Sequence, residues 1–207
     1  MQDDTFAWDD SKAASNYADH GVTFEAARAV FKDPFAIEWL DDRKEYGEAR
    51  YAILGMVENR LLYVAYTMRG ETVRLISARG AEPHESRRDT MKKTAKPPLH
   101  DWKRFDGMTE AQRHAAALKD LDAQPLQPED MTRMKRTPQV SVIRRALSLS
   151  QEEFATRFHI PLGTLRDWEQ SRKEPDAAAR AYLVVIARNP AAVSQALHFT
   201  GTSGEAV

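Results

Sequence analysis

The sequence predicts an α+β N-terminal domain, two helices on a four-stranded antiparallel sheet, followed by an all-α C-terminal domain. Three observations carry this expectation. Up to Pro34, apolar residues recur at helical spacing. From Phe35 to Ala78 they fall into short runs rich in β-branched and aromatic residues, and from Gln139 to about residue 200 helical spacing returns. The stretch between carries Pro97, Pro98, Pro125 and Pro128 with few apolar anchors and reads as a linker. The expected division is 1–90, 91–137 and 138–200.

Phe6-Ala7-Trp8 is a short strand candidate. Asp9 or Asp10 caps a helix from Ser11 to about His20, and Gly21 fits its left-handed stop. Thr23 caps a second helix to about Phe31, ended by Asp33-Pro34. Four strands are then expected, over 35–40, 50–56, 61–67 and 72–78. The last two turns between them are short enough for antiparallel hairpins. A charged helix is expected over 82–92, and a short one from Thr109 to Leu121.

Composition excludes several classes. The chain of 207 residues has no cysteine, so disulfides and Cys-ligated metals are ruled out. No run approaches the ~18 apolar residues of a membrane span, and the acidic N-terminus has no signal-like apolar core. The expectation is a cytoplasmic protein with no membrane partner. Charge is uneven: residues 1–90 hold 12 Lys+Arg against 17 Asp+Glu, whereas residues 135–207 hold 10 against 7, which marks the C-terminal part as the electrostatic candidate for nucleic acid.

The strongest local pattern lies there. Ser150 and Glu153 make a capping box, and Phe154, Ala155 and Phe158 form an apolar stripe. His159-Ile160-Pro161 is a tight turn, and Leu165 and Trp168 mark the buried side of a second helix. Gly163, Thr164, Arg166, Asp167 and Gln170 then lie on or near the open side, where such a helix reaches base edges. Arg166 can donate to guanine, and Asp167 can accept from cytosine or orient Arg166. Gln151, Arg172 and Lys173 are placed for phosphate. Residues 138–190 resemble the helix-turn-helix of phage-repressor-like (XRE-family) regulators, which implies five helices, operator DNA as partner and a homodimer on a palindrome. The bland alternative is a generic helical bundle whose Phe and Trp residues are only core.

In the N-terminal part, Phe6-x-Trp8-Asp9-x-x-Lys12, Asn16, His20-Gly21-Val22-x-Phe24-Glu25-x-Ala27, Val30-Phe31-x-Asp33-Pro34, Glu48-x-Arg50 and Arg74-x-Ile76-Ser77-Ala78-Arg79 resemble the BrnT family over residues 5–88. That resemblance implies a RelE-like fold and a type II toxin that cleaves RNA without a metal or other cofactor. Such cleavage needs a base, an acid and cations for the charge that builds on phosphate. Lys12, Asn16 and His20 share one helix face by their spacing. The candidate catalytic set is Lys12, His20, Glu48, Arg50, Arg74 and Arg79. Arg74 and Arg79 point to opposite faces of a regular strand, and only a bulge or the strand end brings them together. Structural readings stand beside these: His20 closes its helix, Glu48 and Arg50 form a surface pair, Arg79 holds the chain end, and Asn16 only bonds backbone.

In the middle segment, Asp101-Trp102-x-x-Phe105-Asp106-x-Met108-Thr109-Glu110 and Asp120-x-Asp122-Ala123-x-Pro125-Leu126 resemble the N-terminal part of BrnA-type antitoxins. This implies a segment that wraps a toxin domain, anchored by Trp102, Phe105 and Leu118. The alternative is a plain tether. The sequence thus points to a fused toxin–antitoxin protein with an RNA substrate and operator DNA. The other reading is a non-enzymatic transcriptional regulator whose toxin fold serves only for binding or dimerisation.

Overall fold

A computed structural model describes residues 5–70, 72–85 and 99–199, with Phe199 described by its backbone only. The chain divides into two compact units, Met1–Arg136 and Thr137–Val207.

The first unit begins with β1 (Phe6–Ala7) and α1 (Asp10–His20). Asp9 caps α1 through the Lys12 N–H, and Gly21 stops it at φ +68°. A Cβ on Gly21 would sit 2.6 Å from the Phe105 backbone nitrogen, so glycine is required there twice over. The expected second helix is split. Thr23 caps α2 (Phe24–Ala27), which tightens into a 3-10 helix over Arg28–Lys32 before Pro34. β2 (Ile37–Leu40), β3 (Arg50–Val57), β4 (Arg60–Arg69) and β5 (Thr72–Gly80) follow as a meander. Residues 82–85 form a turn rather than the start of the expected helix, whose remainder lies outside the described residues.

The sheet is five-stranded and mixed, not four-stranded and antiparallel. Its order is β1-β5-β4-β3-β2, because β1 pairs in parallel with β5. A two-residue strand is too short to show alternation, which is why the sequence offered it only as a candidate. The β4–β5 register shifts between Ala65 and Tyr66: Ala65 faces Ser77, Tyr66 faces Leu75, and Ile76 is the extra residue of a bulge. Directly opposed residues share a face. The chain Arg50–Thr67–Arg74 across β3, β4 and β5, and the pair Tyr63–Arg79, therefore lie on one side. The bulge returns Arg74 and Arg79 to the same face.

Both faces of this sheet are apolar. On one, Tyr66 meets Phe31 edge-on and stacks with Tyr51, while Phe6 and Trp8 pack on Phe31 and Phe24. On the other, Trp39, Ala52, Leu54, Tyr63, Ala65 and Ile76 form one cluster with Ala123, Leu126 and Met134, which close over it from beyond the strands. The segment expected as a linker with one helix holds three: α3 (Lys103–Gly107), α4 (Glu110–Lys119) and α5 (Pro128–Arg133). Thr109 and Gln112 form a capping box at α4. Trp102 and Phe105 are buried anchors as expected, but Leu118 is 53% exposed; Ala117 faces inward instead. Trp102 Nε1 donates to Glu58 at 2.7 Å, and Arg60 lies over its ring and bonds Asp106. Arg104 donates to the Ala18 carbonyl, which ties α3 to α1.

The second unit has five helices among the described residues: α6 (Gln139–Ala146), α7 (Gln151–Arg157), α8 (Leu162–Glu169), α9 (Ala177–Arg188) and α10 (Pro190–Phe199). Val140, Ile143, Phe154, Phe158, Leu165, Leu183 and Ile186 fill the core, with Trp168 packed partly against it. The capping box of Ser150 and Glu153 is present. His159 turns the chain between α7 and α8 at φ +50°, a left-handed conformation that non-glycine residues take only at a cost.

Candidate functional site

The covered face of the sheet collects most of the predicted catalytic residues, and one short segment touches them. Asp122 Oδ2 accepts from Lys12 Nζ at 2.7 Å, and its Oδ1 accepts from both terminal nitrogens of Arg50 at 3.2 and 3.3 Å. Asp120 Oδ2 accepts from Ser77 Oγ at 2.5 Å and bonds His20 Nε2 at 2.9 Å. The Asp122 N–H closes onto Asp120 Oδ1 at 2.9 Å, so the two carboxylates form one turn. Arg79 Nε and NH2 donate to the Ala123 and Gln124 carbonyls. Residues 120–126 are thus a strap laid across this face, apolar at Ala123 and Leu126 and acidic where it meets the cations.

Burial pushes the Asp120 carboxyl up. The hydrogen bonds from His20 and Ser77, the Asp122 N–H and the His20 charge outweigh it and hold it well below the usual carboxylate range. Asp120 is therefore an anion wherever the fold persists near neutrality.

Two arginines on this face are neutralised from within the sheet unit. Arg79 and Glu85 make two parallel bonds of 2.8 Å with side chains almost fully buried, and Glu85 also accepts the Glu82 and Leu126 N–H groups. Arg43 grips Asp41 with two bonds of 2.9 Å and donates to Tyr63 Oη and the Gln124 carbonyl. Desolvation raises the Asp41 carboxyl, but Arg43 reverses this and leaves it below the ordinary value. By contrast, among the described residues the acidic partners of Lys12, Arg50 and His20 are Asp120 and Asp122 of the strap. Arg50 Nε is buried with no hydrogen-bond partner among the described residues.

The remaining predictions separate. Arg74 is half-buried, in line with Arg50 across Thr67, and makes no ion pair among the described residues. Glu48 does not begin β3; it lies exposed in the loop before it and joins none of these contacts. The strand starts at Arg50, which pairs with Thr67 of β4, while pairing with β2 ends at Leu40–Tyr51 and leaves residues 41–49 as loop. Asn16 is structural: its amide donates to the Val22 and Ala78 carbonyls and accepts the Ala78 N–H, which pins α1 to β5. His20 is 3% exposed and bonds the strap, besides standing before the left-handed Gly21.

Sequence reasoning missed Arg43, Ser77, Glu85 and the strap carboxylates as parts of the site. An acidic Asp120-x-Asp122 pair in a segment expected to wrap a toxin domain with candidate Lys, His and Arg residues was the available signal.

In the helical unit, α8 shows Gly163, Arg166 and Gln170 exposed, and Thr164 and Asp167 half-buried, while Leu165 is buried. Arg166 bonds Glu152 at 2.9 Å and Gln151 at 3.3 Å. Gln151 in turn donates to Glu169, which also pairs with Arg144. Lys173 Nζ sits 2.8 Å from Asp167, and this hydrogen bond lowers the Asp167 carboxyl below its usual value; Arg172 is 4.0 Å away. Gln151, Arg166 and Asp167 are accordingly tied to neighbours, and Arg172 and Lys173 stay exposed.

Residues 8–85 match the family of ribonuclease toxins, BrnT, of type II toxin-antitoxin systems. The BrnT match ends at Glu85, the partner of Arg79, and takes in α1 and all the strands from β2 to β5. It covers less than half of the chain and leaves out the strap. A crystal structure of a helix-turn-helix XRE-family-like protein from Agrobacterium tumefaciens is 63% identical over a match covering 29% of this chain and 97% of that one, with a TM-score of 0.29. No curated protein matches the chain. Among the described residues, no helix is long and apolar enough to cross a membrane.

Proposed function

We propose that the chain joins a BrnT-like RNA-cleaving domain, held covered by its own residues 99–136, to a helix-turn-helix domain that binds operator DNA. The supporting observation is convergence. Lys12, His20, Arg50 and Arg79 come from a helix and two separate strands, and all contact the single turn 120–124. Cations gathered on one face stabilise charge building on a phosphate, and His20 is the group suited to move a proton. Arg79, already paired with Glu85, serves to position. The division of the chain is 1–90, 91–137 and 138–200 by role, with the middle part acting as antitoxin in cis.

The test is expression of residues 1–98, which lack the cover, beside the full chain. The shortened chain arrests growth and cleaves RNA in the presence of a chelator, and His20→Ala removes both effects. Harmless expression of a soluble, folded 1–98 chain would favour the other reading, a regulator whose toxin fold only binds.

For the helical unit, the exposed flank of α8 supports entry into a major groove as a homodimer on a palindrome. The Arg166–Glu152 pair is exposed on both sides, and such pairs hold only about 0–1 kcal/mol, so Arg166 is free to exchange it for a base. Arg166→Ala is expected to weaken the operator by about 1–3 kcal/mol and relax one base position. Lys173→Ala weakens all sequences alike and flattens the salt dependence. Titration of labelled duplexes at several salt concentrations separates the two. Normal binding by both variants removes the recognition-helix assignment.

A further inference from the structure

The strap contacts have the chemistry of a nucleic-acid backbone. Two carboxylates, two residues apart and joined through the Asp122 N–H, each lie where a phosphate would find donors. One subsite is Lys12 with Arg50; the other is His20 with Ser77. We propose that Asp120 and Asp122 fill two phosphate subsites of a single-stranded RNA path, so that the chain competes with RNA for its own cleft. This rests on the ribonuclease reading given above, and it assigns the ligand class and the occupied positions.

Three observations point the same way. First, the division of charge: among the described residues, Arg43 and Arg79 have acidic partners outside the strap, at Asp41 and Glu85, whereas those of Lys12, Arg50 and His20 all lie in the strap. Moving the strap therefore leaves Lys12, Arg50 and His20 together without a carboxylate, and frees the Ser77 hydroxyl beside them, while Arg43 and Arg79 keep theirs. Second, the fit at Arg50 is incomplete. Both terminal nitrogens share one carboxylate oxygen at 3.2 and 3.3 Å, longer than the roughly 2.7–2.9 Å of a good charge-assisted bond. The buried Nε has no partner among the described residues. A carboxylate offers two oxygens in one plane and Lys12 takes the other; the tetrahedral phosphodiester sets its two non-bridging oxygens wider apart, with ester oxygens beside them. Third, the strap is held beyond its carboxylates by main-chain groups. Arg79 takes the Ala123 and Gln124 carbonyls, Glu85 takes the Leu126 N–H, and His84 Nε2 donates to the Leu126 carbonyl at 2.6 Å. Arg79 and Glu85 thus act as a latch beside the phosphate subsites, and the two carboxylates are the part that RNA displaces.

The test uses the full chain and a fluorescent single-stranded oligoribonucleotide with 2′-O-methyl riboses, which binds but lacks the attacking 2′-hydroxyl. Anisotropy gives the affinity at several salt concentrations. Asp122→Asn and the pair Asp120→Asn/Asp122→Asn are expected to bind at least about ten-fold tighter than the unaltered chain and with a steeper salt dependence, since freed cations now meet phosphates. Adding Lys12→Ala to either variant cancels the gain, which separates this cleft from any binding by the helical unit. Asp122 is a third exposed on its side chain, so Asp122→Asn alone carries the test if the double variant loses its fold by circular dichroism. An affinity no better than that of the unaltered chain, or a gain that survives Lys12→Ala, overturns the proposal. The same oligonucleotide with ordinary riboses is scored for cleavage in parallel. Tighter binding without cleavage upholds the phosphate subsites and removes the ribonuclease reading. Cleavage that is unchanged by the Asp→Asn variants does the reverse.

Discussion

Glu85→Ala destabilises the first unit by about 3–5 kcal/mol, the loss that follows when one partner of a buried ion pair is removed. The Glu85 side chain is fully buried and Arg79 is 2% exposed. Alanine leaves the guanidinium without its carboxylate and also orphans the Glu82 and Leu126 N–H groups. The measurement is chemical denaturation in a Trp168→Phe background, so that fluorescence reports Trp8, Trp39 and Trp102 of the first unit alone. Replacing both partners, as Arg79→Met with Glu85→Leu, recovers the part of the loss due to the lone buried charge, while the Glu82 and Leu126 N–H groups stay without their acceptor. A Glu85→Ala chain within about 1 kcal/mol of the original would show that the pair is hydrated in solution.

Phe154→Ala has an effect of the same size on the second unit. Phe154 and Phe158 are both fully buried and meet edge-on at 4.8 Å. Truncating a phenylalanine in such a core costs about 3–5 kcal/mol through lost burial and the cavity left behind. α7 and α8 rest on this core, so Phe154→Ala loosens both, unlike Arg166→Ala, which leaves the fold intact. Hydrogen exchange of the amides in α6 to α9 reads the loss directly. Protection unchanged from the parent chain would place Phe154 outside the cooperative core.

The helical unit was the more legible half. Its order depends on local signals: the Ser150–Glu153 box, the stripe at Phe154, Ala155 and Phe158, and the turn at His159 all act within a few residues. The sheet depends on distant pairings, and two of its features left little trace. β1 joins through partners more than sixty residues away, with only two residues of its own. The bulge at Ile76 is set by packing between β4 and β5, so the shared face of Arg74 and Arg79 was legible only as a condition. Glu48 lies apart from the others because spacing from Arg50 does not say where pairing ends. Lys12, His20, Arg50 and Arg79 did come together, since helix spacing and strand alternation survive into the fold. The strap was readable as a wrapping segment. Its contacts were not, because they join residues up to 110 positions apart.

The cover also finishes the sheet at its far side. The Leu40 N–H donates to the Lys135 carbonyl at 2.9 Å, and Trp39 forms an antiparallel bridge with Arg136. β2 would otherwise present a bare rim of peptide groups to any passing strand, an invitation to edge-on polymerisation. Residues 135 and 136 therefore serve the sheet as a guard strand, and any change that loosens them is expected to trade monomer for aggregate.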